Sequence, residues 1–535
     1  MIKESTLYMS LLATSKEFPD RPALIYMNRK ITYAELIKDV HRLARGLIER
    51  GVKRDDIVSV CLPNIPSVVH LLYAINQIGA IANIVHPLVK RPQMETILME
   101  TGSRLLFCLD TTYFEFMNLA TCGVEVVSCS PVAELAFPLR LMYRLANRKK
   151  LKSLQKGVVV KAIAEYYDAR ENREFDCDIR KDAFYLHSGG TTGKPKVIAL
   201  SSSAVNALAS NGLRILNLTQ TKDKYMLAVL PIFHGFGLCM GMHACLAFGA
   251  CNTLMPKFNA GQVVAYLKKG KISFIIGVPI LFEALLRNPK FAGRMLENLD
   301  VAFVGGDFVS PSLIQRFDQR MKENGSRARL CEGYGLTEVV TVCTVNTIAD
   351  HRMGSVGKIL PNVIMKVVDC QSKEDLPPME YGELYVSGET MMNGYRFLAK
   401  GEAQPFVTDG DGRTWVATGD YGAIDEDDFV FFRQRIKRII KVSGINVFPS
   451  EVESAAMEVK AIHECAAISV SDEQLGNAIK LFVVLDRAYK GDKPDVAIRA
   501  SIEKRCGIYA VPRHIAYVES LPKTMVGKVD TKELR

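Results

Sequence analysis

The stretch that decides the fold reads Tyr185-Leu186-His187-Ser188-Gly189-Gly190-Thr191-Thr192-Gly193-Lys194-Pro195-Lys196. An apolar strand runs out at Leu186 into a loop holding three glycines, a serine, two threonines and two lysines. This is the chemistry of a phosphate cradle. Glycine lets backbone N–H groups approach an anion, hydroxyls donate further hydrogen bonds, and lysine supplies charge. The loop is not a Walker motif, because Ser188 stands where that motif needs glycine and Pro195 where it needs a hydroxyl. No G-x-S-x-G elbow marks a hydrolase. Gly333-Tyr334-Gly335 fails the dinucleotide fingerprint because Glu338 takes the place of its third glycine.

Outward from the loop, strands and helices alternate. Ala23 to Met27 and Ile31 predict a hairpin turning at Asn28-Arg29. Thr32 and Glu35 form a capping box, and Leu36, Val40, Leu43 and Leu47 follow on one helical face until Gly51. Residues 57–62 predict a strand and 68–78 a helix. The rhythm recurs at 301–304, a buried strand leading into Gly305-Gly306. Parallel sheets covered by helices are the expected result.

From about Gly354 the texture becomes short, β-rich and turn-punctuated, at 363–368, 383–386 and 429–432. This predicts a smaller β subdomain. A compact α/β pattern then closes the chain, with a helix at 450–459, strands at 466–469 and 479–484, and a helix at 495–506. The fold class is therefore α/β: a large N-terminal domain of parallel β/α sheets plus a β subdomain, at 1–436, and a small α/β C-terminal domain, at 437–535.

A chain of 535 residues is too long for one core. Its net charge of +10 is a modest basic bias, suited to anionic small molecules and too weak for a nucleic-acid signature. Thirteen scattered cysteines without a CxxC pair, and no leader-like start, predict reduced thiols and a cytoplasmic location. Residues 57–89 and 225–256 carry no Asp, Glu, Lys or Arg. Pro63, Asn64, Pro66, Asn76 and Pro231 make them buried strand–helix–strand units rather than membrane spans. The stretch from Arg140 to Lys161 holds eight basic residues and no acidic ones, interleaved with leucines. It is either a solvated surface helix or a peripheral contact for an anionic membrane or an acidic protein.

The loop from Ser188 to Lys196 resembles the signature of the adenylate-forming (AMP-binding) superfamily, and further motifs of that family follow in order along nearly the whole chain. Val197 departs from the glycine many members carry there. Leu230-Pro231-Ile232-Phe233-His234-Gly235-Phe236-Gly237 resembles the motif at which the carboxylic acid enters, with His234 at the site. Gly333-Tyr334-Gly335-Leu336-Thr337-Glu338 resembles the adenine and metal motif. It implies Tyr334 on adenine, Thr337 on phosphate and Glu338 on Mg²⁺. Gly305-Gly306-Asp307-Phe308 resembles the adenine-edge loop, and Trp415 to Asp420 the ribose motif, with Asp420 on the hydroxyls.

Arg435 matches the arginine that reaches ribose or phosphate, and Lys437 the hinge of a mobile C-terminal domain. Gln434 departs from the family's Asp or Gly. Lys528, in Pro522-Lys523-Thr524-Met525-Val526-Gly527-Lys528, matches the catalytic lysine. Ser188, Gly189, Gly190, Thr191, Thr192, Gly193 and Lys196 would hold the phosphates, and Lys441 would contact coenzyme A.

The resemblance implies an acyl-CoA synthetase that forms an acyl-adenylate from ATP with Mg²⁺ and passes the acyl group to coenzyme A. A free-standing enzyme that loads an acyl carrier protein is the alternative. Amino-acid-activating relatives carry an acidic residue where His234 stands, so the implied acid is fatty or aryl.

Overall fold

The computed structural model describes residues 4–135, 137–152, 162–168, 177–188, 195–218, 220–472, 474–486, 489–523 and 529–534. Two large sheets organise the N-terminal part of the chain. The first runs, in space, Gly394–Arg396, Val197–Ser201, Asp182–His187, Ile81–Ile84, Ile57–Cys61, Leu105–Leu109, Glu125–Cys129. Its five strands from Asp182–His187 onward are parallel, and the two at the other edge are antiparallel. The second is nine-stranded. Its parallel centre holds Leu330–Tyr334, Val301–Val304, Phe274–Gly277, Tyr225–Ala228, Cys251–Leu254 and Pro22–Tyr26.

Between the sheets lies helix Pro66–Ile78. Twelve of its thirteen residues are buried, so it is apolar on every side because both faces meet protein. Several of its polar groups bond to neighbours, while His70 Nε2 and Gln77 Oε1 are buried without a hydrogen-bond partner among the described residues. Asn76 Oδ1 accepts from Tyr8 N at 2.9 Å, and Tyr73 Oη meets His243 Nδ1 at 2.9 Å. The charge-free stretch is thus a core element. Among the described residues no helix is long and apolar enough to cross a membrane. One continuous core joins both sheets and reaches Val386 and Val416 of the β subdomain.

That subdomain is an antiparallel sheet of Val363–Val368, Gly382–Gly388, Thr414–Ile424, Phe406–Thr408 and Val430–Arg435. Past Ile440 a separate core gathers around the strands Ile462–Asp472, Gly476–Leu485 and His514–Tyr517 and the helices Pro449–Ala456 and Asp495–Cys506.

Several local expectations are corrected. The first hairpin turns at Met27-Asn28, both with positive φ, one residue earlier than expected, because that pair supplies the twist a two-residue connection needs. Helix Pro449–Ala456 stops short of residue 459, and the two long C-terminal strands outrun their apolar cores because they pair with each other along their whole length. Gly394–Arg396 leaves the β subdomain and adds to the edge of the seven-stranded sheet.

The capping box at Thr32 and Glu35 is present in both directions, at 3.2 and 2.7 Å. Thr32→Ala should therefore lower stability by about 1 kcal/mol in a denaturant titration, with the fold unchanged. No loss would mean that the helix start is held by packing alone.

Candidate active site

The cleft opens at the carboxyl ends of the parallel strands, where open α/β sheets bind ligands. Its volume is about 2020 Å³. Strand Val301–Val304 ends in Gly305-Gly306-Asp307 and strand Leu330–Tyr334 runs on to Glu338, and all of these line it. The glycines set the approach. A Cβ on Gly305 would sit 2.6 Å from the Gly333 carbonyl oxygen, and one on Gly335 would sit 1.5 Å from that of Thr341.

On one wall Tyr334 stacks against Phe432, with ring centroids 5.6 Å apart and planes at 24°. Its hydroxyl donates to Asp420 Oδ2 at 2.6 Å. Arg435 Nε lies 2.7 Å from Asp420 Oδ1, and the carboxylate is 1% exposed. Burial, and after it the Asp420 carboxylate, hold the Tyr334 hydroxyl well above its usual range. Tyr334, Asp420 and Arg435 thus form one knot, drawn from three sequence motifs.

At the glycine-rich loop, Ser188 Oγ accepts from Lys196 N and Ser188 N donates to the Lys196 carbonyl, both at 2.9 Å. This pair of hydrogen bonds closes the neck of the glycine-rich loop. Gly189, Gly190, Thr191, Thr192 and Gly193 lie outside the described residues, as does Lys528. Val529, Asp530 and Thr531, next to Lys528 in the chain, line the cleft. Lys196 Nζ stands 4.4 Å over the Tyr395 ring, and Tyr395 Oη donates to Glu338 Oε1 at 2.7 Å. Tyr395 therefore ties the expected phosphate lysine to the expected metal carboxylate. Thr337 starts the short helical turn Thr337–Val339 and also faces the cleft.

The third region is apolar. Phe233 packs 4.3 Å from the His86 ring. His234 is exposed at the cleft wall, and its Nδ1 accepts from Phe236 N at 3.3 Å, which places the proton of a neutral ring on Nε2. The helix expected after this motif begins as a π-helix, Phe236–His243. Gly237 permits it: a Cβ there would lie 2.1 Å from the Pro231 carbonyl oxygen. Ile215, Met226, Met240, Phe248 and Ile276 also line this region. Lys441 lies exposed on the hairpin Ile440–Val442/Ile445–Val447 and is not part of the cleft.

Sequence reading missed Tyr395, Phe432 and Glu332. Glu332 is a lone carboxyl in an apolar strand, and burial pushes it up to about 8. It also missed the turn after Glu338. Val340 has φ 68° and ψ −62°, and Thr341 N bonds the Val339 carbonyl at 2.8 Å. Such a turn is strained for a β-branched residue, at a cost of roughly 1–3 kcal/mol. Nothing in Val340 itself signals it.

Residues 11–396 match the AMP-binding enzyme family, and residues 451–528 match the AMP-binding enzyme C-terminal domain. The chain is 28% identical to a long-chain-fatty-acid–CoA ligase of Bacillus subtilis over all of its own length and 94% of the relative's. It is 27% identical to a 4-coumarate:CoA ligase of Petunia hybrida, over 100% and 94%. The ATP-bound MatB of Rhodopseudomonas palustris shares the fold at a TM-score of 0.84 and 22% identity, covering 99% of this chain and 98% of that one.

Because Glu332 holds its proton in the folded state to about pH 8, while an ordinary glutamate titrates near 4.5, its contribution is intact at low pH and is lost as pH rises through that window. Glu332→Gln should therefore raise the unfolding midpoint above pH ~8 and change it little near pH ~4.5. Thermal melts across this range provide the check; a pH-independent difference would contradict it.

Proposed function

The chain belongs to the AMP-binding enzyme family, and from that premise we propose that it couples an apolar carboxylic acid, fatty or aryl, to coenzyme A through an acyl-adenylate. It is an acid–thiol ligase that uses ATP, Mg²⁺ and coenzyme A. The observation that carries the reading is the shared cleft: the Tyr334–Asp420–Arg435 knot and the Lys196–Tyr395–Glu338 chain border one cavity whose inner end is apolar. The named relatives, a fatty-acid ligase and a coumarate ligase, support a fatty or aryl acid.

In the first step a carboxylate oxygen attacks the α-phosphorus of ATP and pyrophosphate leaves. Two anions must meet, so the protein's work is positioning and charge neutralisation. Tyr334 takes the adenine face, with Gly306, Asp307, Gly333 and Gly335 along its edge. Asp420 accepts from the ribose hydroxyls and Arg435 is its ion-pair partner. Ser188, Gly189, Gly190, Thr191, Thr192, Gly193, Thr337 and Lys196 hold the phosphates, Lys528 neutralises charge at the reacting centre, and His234 orients the acid.

Glu338 suits a hard cation. Among the described residues no three His, Cys, Asp or Glu side chains converge, so this carboxylate and the nucleotide's own phosphates would hold Mg²⁺. Bound there, the ion neutralises charge on the phosphates. In the second step the thiol sulfur attacks the acyl carbonyl, the bond to AMP breaks, and the thiol proton is released. The domain division at 436/437, rotation about Lys437 and contact of Lys441 with coenzyme A belong to the same proposal.

Pyrophosphate release with short, long and aromatic acids, followed by thioester formation with coenzyme A or an acyl carrier protein, tests acid and acceptor together. Activity with the carrier alone would overturn the acceptor. Lys528→Ala should cut pyrophosphate release by about 10²–10³ while thioester formation from supplied acyl-AMP stays largely intact, and equal loss of both would reject that role. Tyr395→Phe keeps the ring under Lys196 but frees Glu338, so the Mg²⁺ needed for half-maximal rate should rise about tenfold or more. An unchanged Mg²⁺ dependence would remove Glu338 from the metal site.

A further inference from the structure

The helix Phe137–Ala146 presents an apolar stripe to solvent. Phe137 is 81% exposed, Leu141 53%, Met142 63% and Leu145 61%, and the helix has no buried residue. Residues 137, 141 and 145 recur every fourth position and share one face, with Met142 beside them. The opposite side is fastened to the body. Leu139 and Tyr143 pack on the main core, Tyr143 Oη donates to Asp110 Oδ1 at 2.5 Å, and Arg140 Nε donates to the Leu135 carbonyl at 2.5 Å. The stripe is therefore held outward by its own anchors, at the cost of keeping four large apolar side chains in water. Exposed apolar surface of this kind marks an interaction site.

Charge identifies the partner. Between Glu134 and Glu165 the sequence has eight basic residues and no carboxylate, and Glu134 is taken by Arg29 at 2.5 Å. Arg140 and Arg144 flank the stripe, and the following helix Arg148–Lys152 adds Arg148, Lys149 and Lys150, all exposed. We propose that this surface seats the protein on an anionic phospholipid bilayer. The stripe enters the boundary between headgroups and acyl chains, and the arginines and lysines meet the phosphates. A ten-residue helix is about 15 Å long, half of what a span needs, so it lies in the interface plane. A second copy of this chain is disfavoured, because pairing the face with itself would bring like charges together.

The test is cosedimentation of the full chain with vesicles of phosphatidylcholine, with and without phosphatidylglycerol, at low and high salt. The protein should pellet with the anionic vesicles and be released progressively by salt. Leu141→Asp combined with Leu145→Asp should weaken vesicle binding about tenfold or more, and Arg144→Gln about fivefold. Pyrophosphate release in vesicle-free solution should be unchanged in each variant, since none of these residues lines the cleft. Absence of vesicle binding, or equal binding by the double variant, would overturn the proposal. So would capture of an acidic carrier protein, or a dimer in solution, that the double variant loses while vesicle binding is absent.

Discussion

Asp420 is 1% exposed, and a carboxylate so far from water needs neighbours that replace its lost hydration. Arg435 and the Tyr334 hydroxyl do this, and they fasten three parts of the chain together. Tyr334 ends a strand of the nine-stranded sheet, while Asp420 and Arg435 face each other across two strands of the β subdomain. The same strand continues the linkage toward the C-terminal domain. Arg433 Nε donates to Glu451 Oε1 at 2.6 Å, and Gln434 Oε1 accepts from Ser450 N at 3.0 Å. Gln434, a departure from the family pattern, thus caps the first turn of the helix Pro449–Ala456 across the domain junction. Arg438 adds a bond to half-buried Glu453 at 2.7 Å. The Tyr334–Asp420–Arg435 knot and the contact with the C-terminal helix are therefore carried by one strand.

Backbone crowding sets the rest of the cleft. Gly235 and Gly335 each abut the 340–341 backbone, with space for a Cβ at neither position. The strained turn at Val340 lies at this meeting point, between the segment 230–237 and the segment bearing Glu338. Packing from both sides holds it, so its strain persists in a single conformation. Nearby, the π-helix Phe236–His243 turns its side chains more slowly than an α-helix would, which changes which of them face the pocket.

The alternation of strands and helices, the capping box at Thr32, the buried nature of the charge-free segments and the order of the motifs were all legible in the sequence. Each depends on local chemistry: hydrophobic period, capping side chains, or residue types packed into one loop. The gathering of the motifs into one cleft was implied only by the family resemblance, since they lie on two different sheets and an antiparallel subdomain.

Tertiary structure alone decided what each motif residue touches. Tyr395 and Glu338 are 57 residues apart, and Asp420 and Tyr334 are 86 apart. Their pairing rests on the register of strands that no local pattern specifies. The raised Glu332 carboxyl and the strained Val340 have the same origin, since burial and backbone crowding are imposed by distant segments. The sequence by itself determined the chemistry available to this protein. The fold decided which groups meet, because pairing and burial depend on segments far apart in the chain.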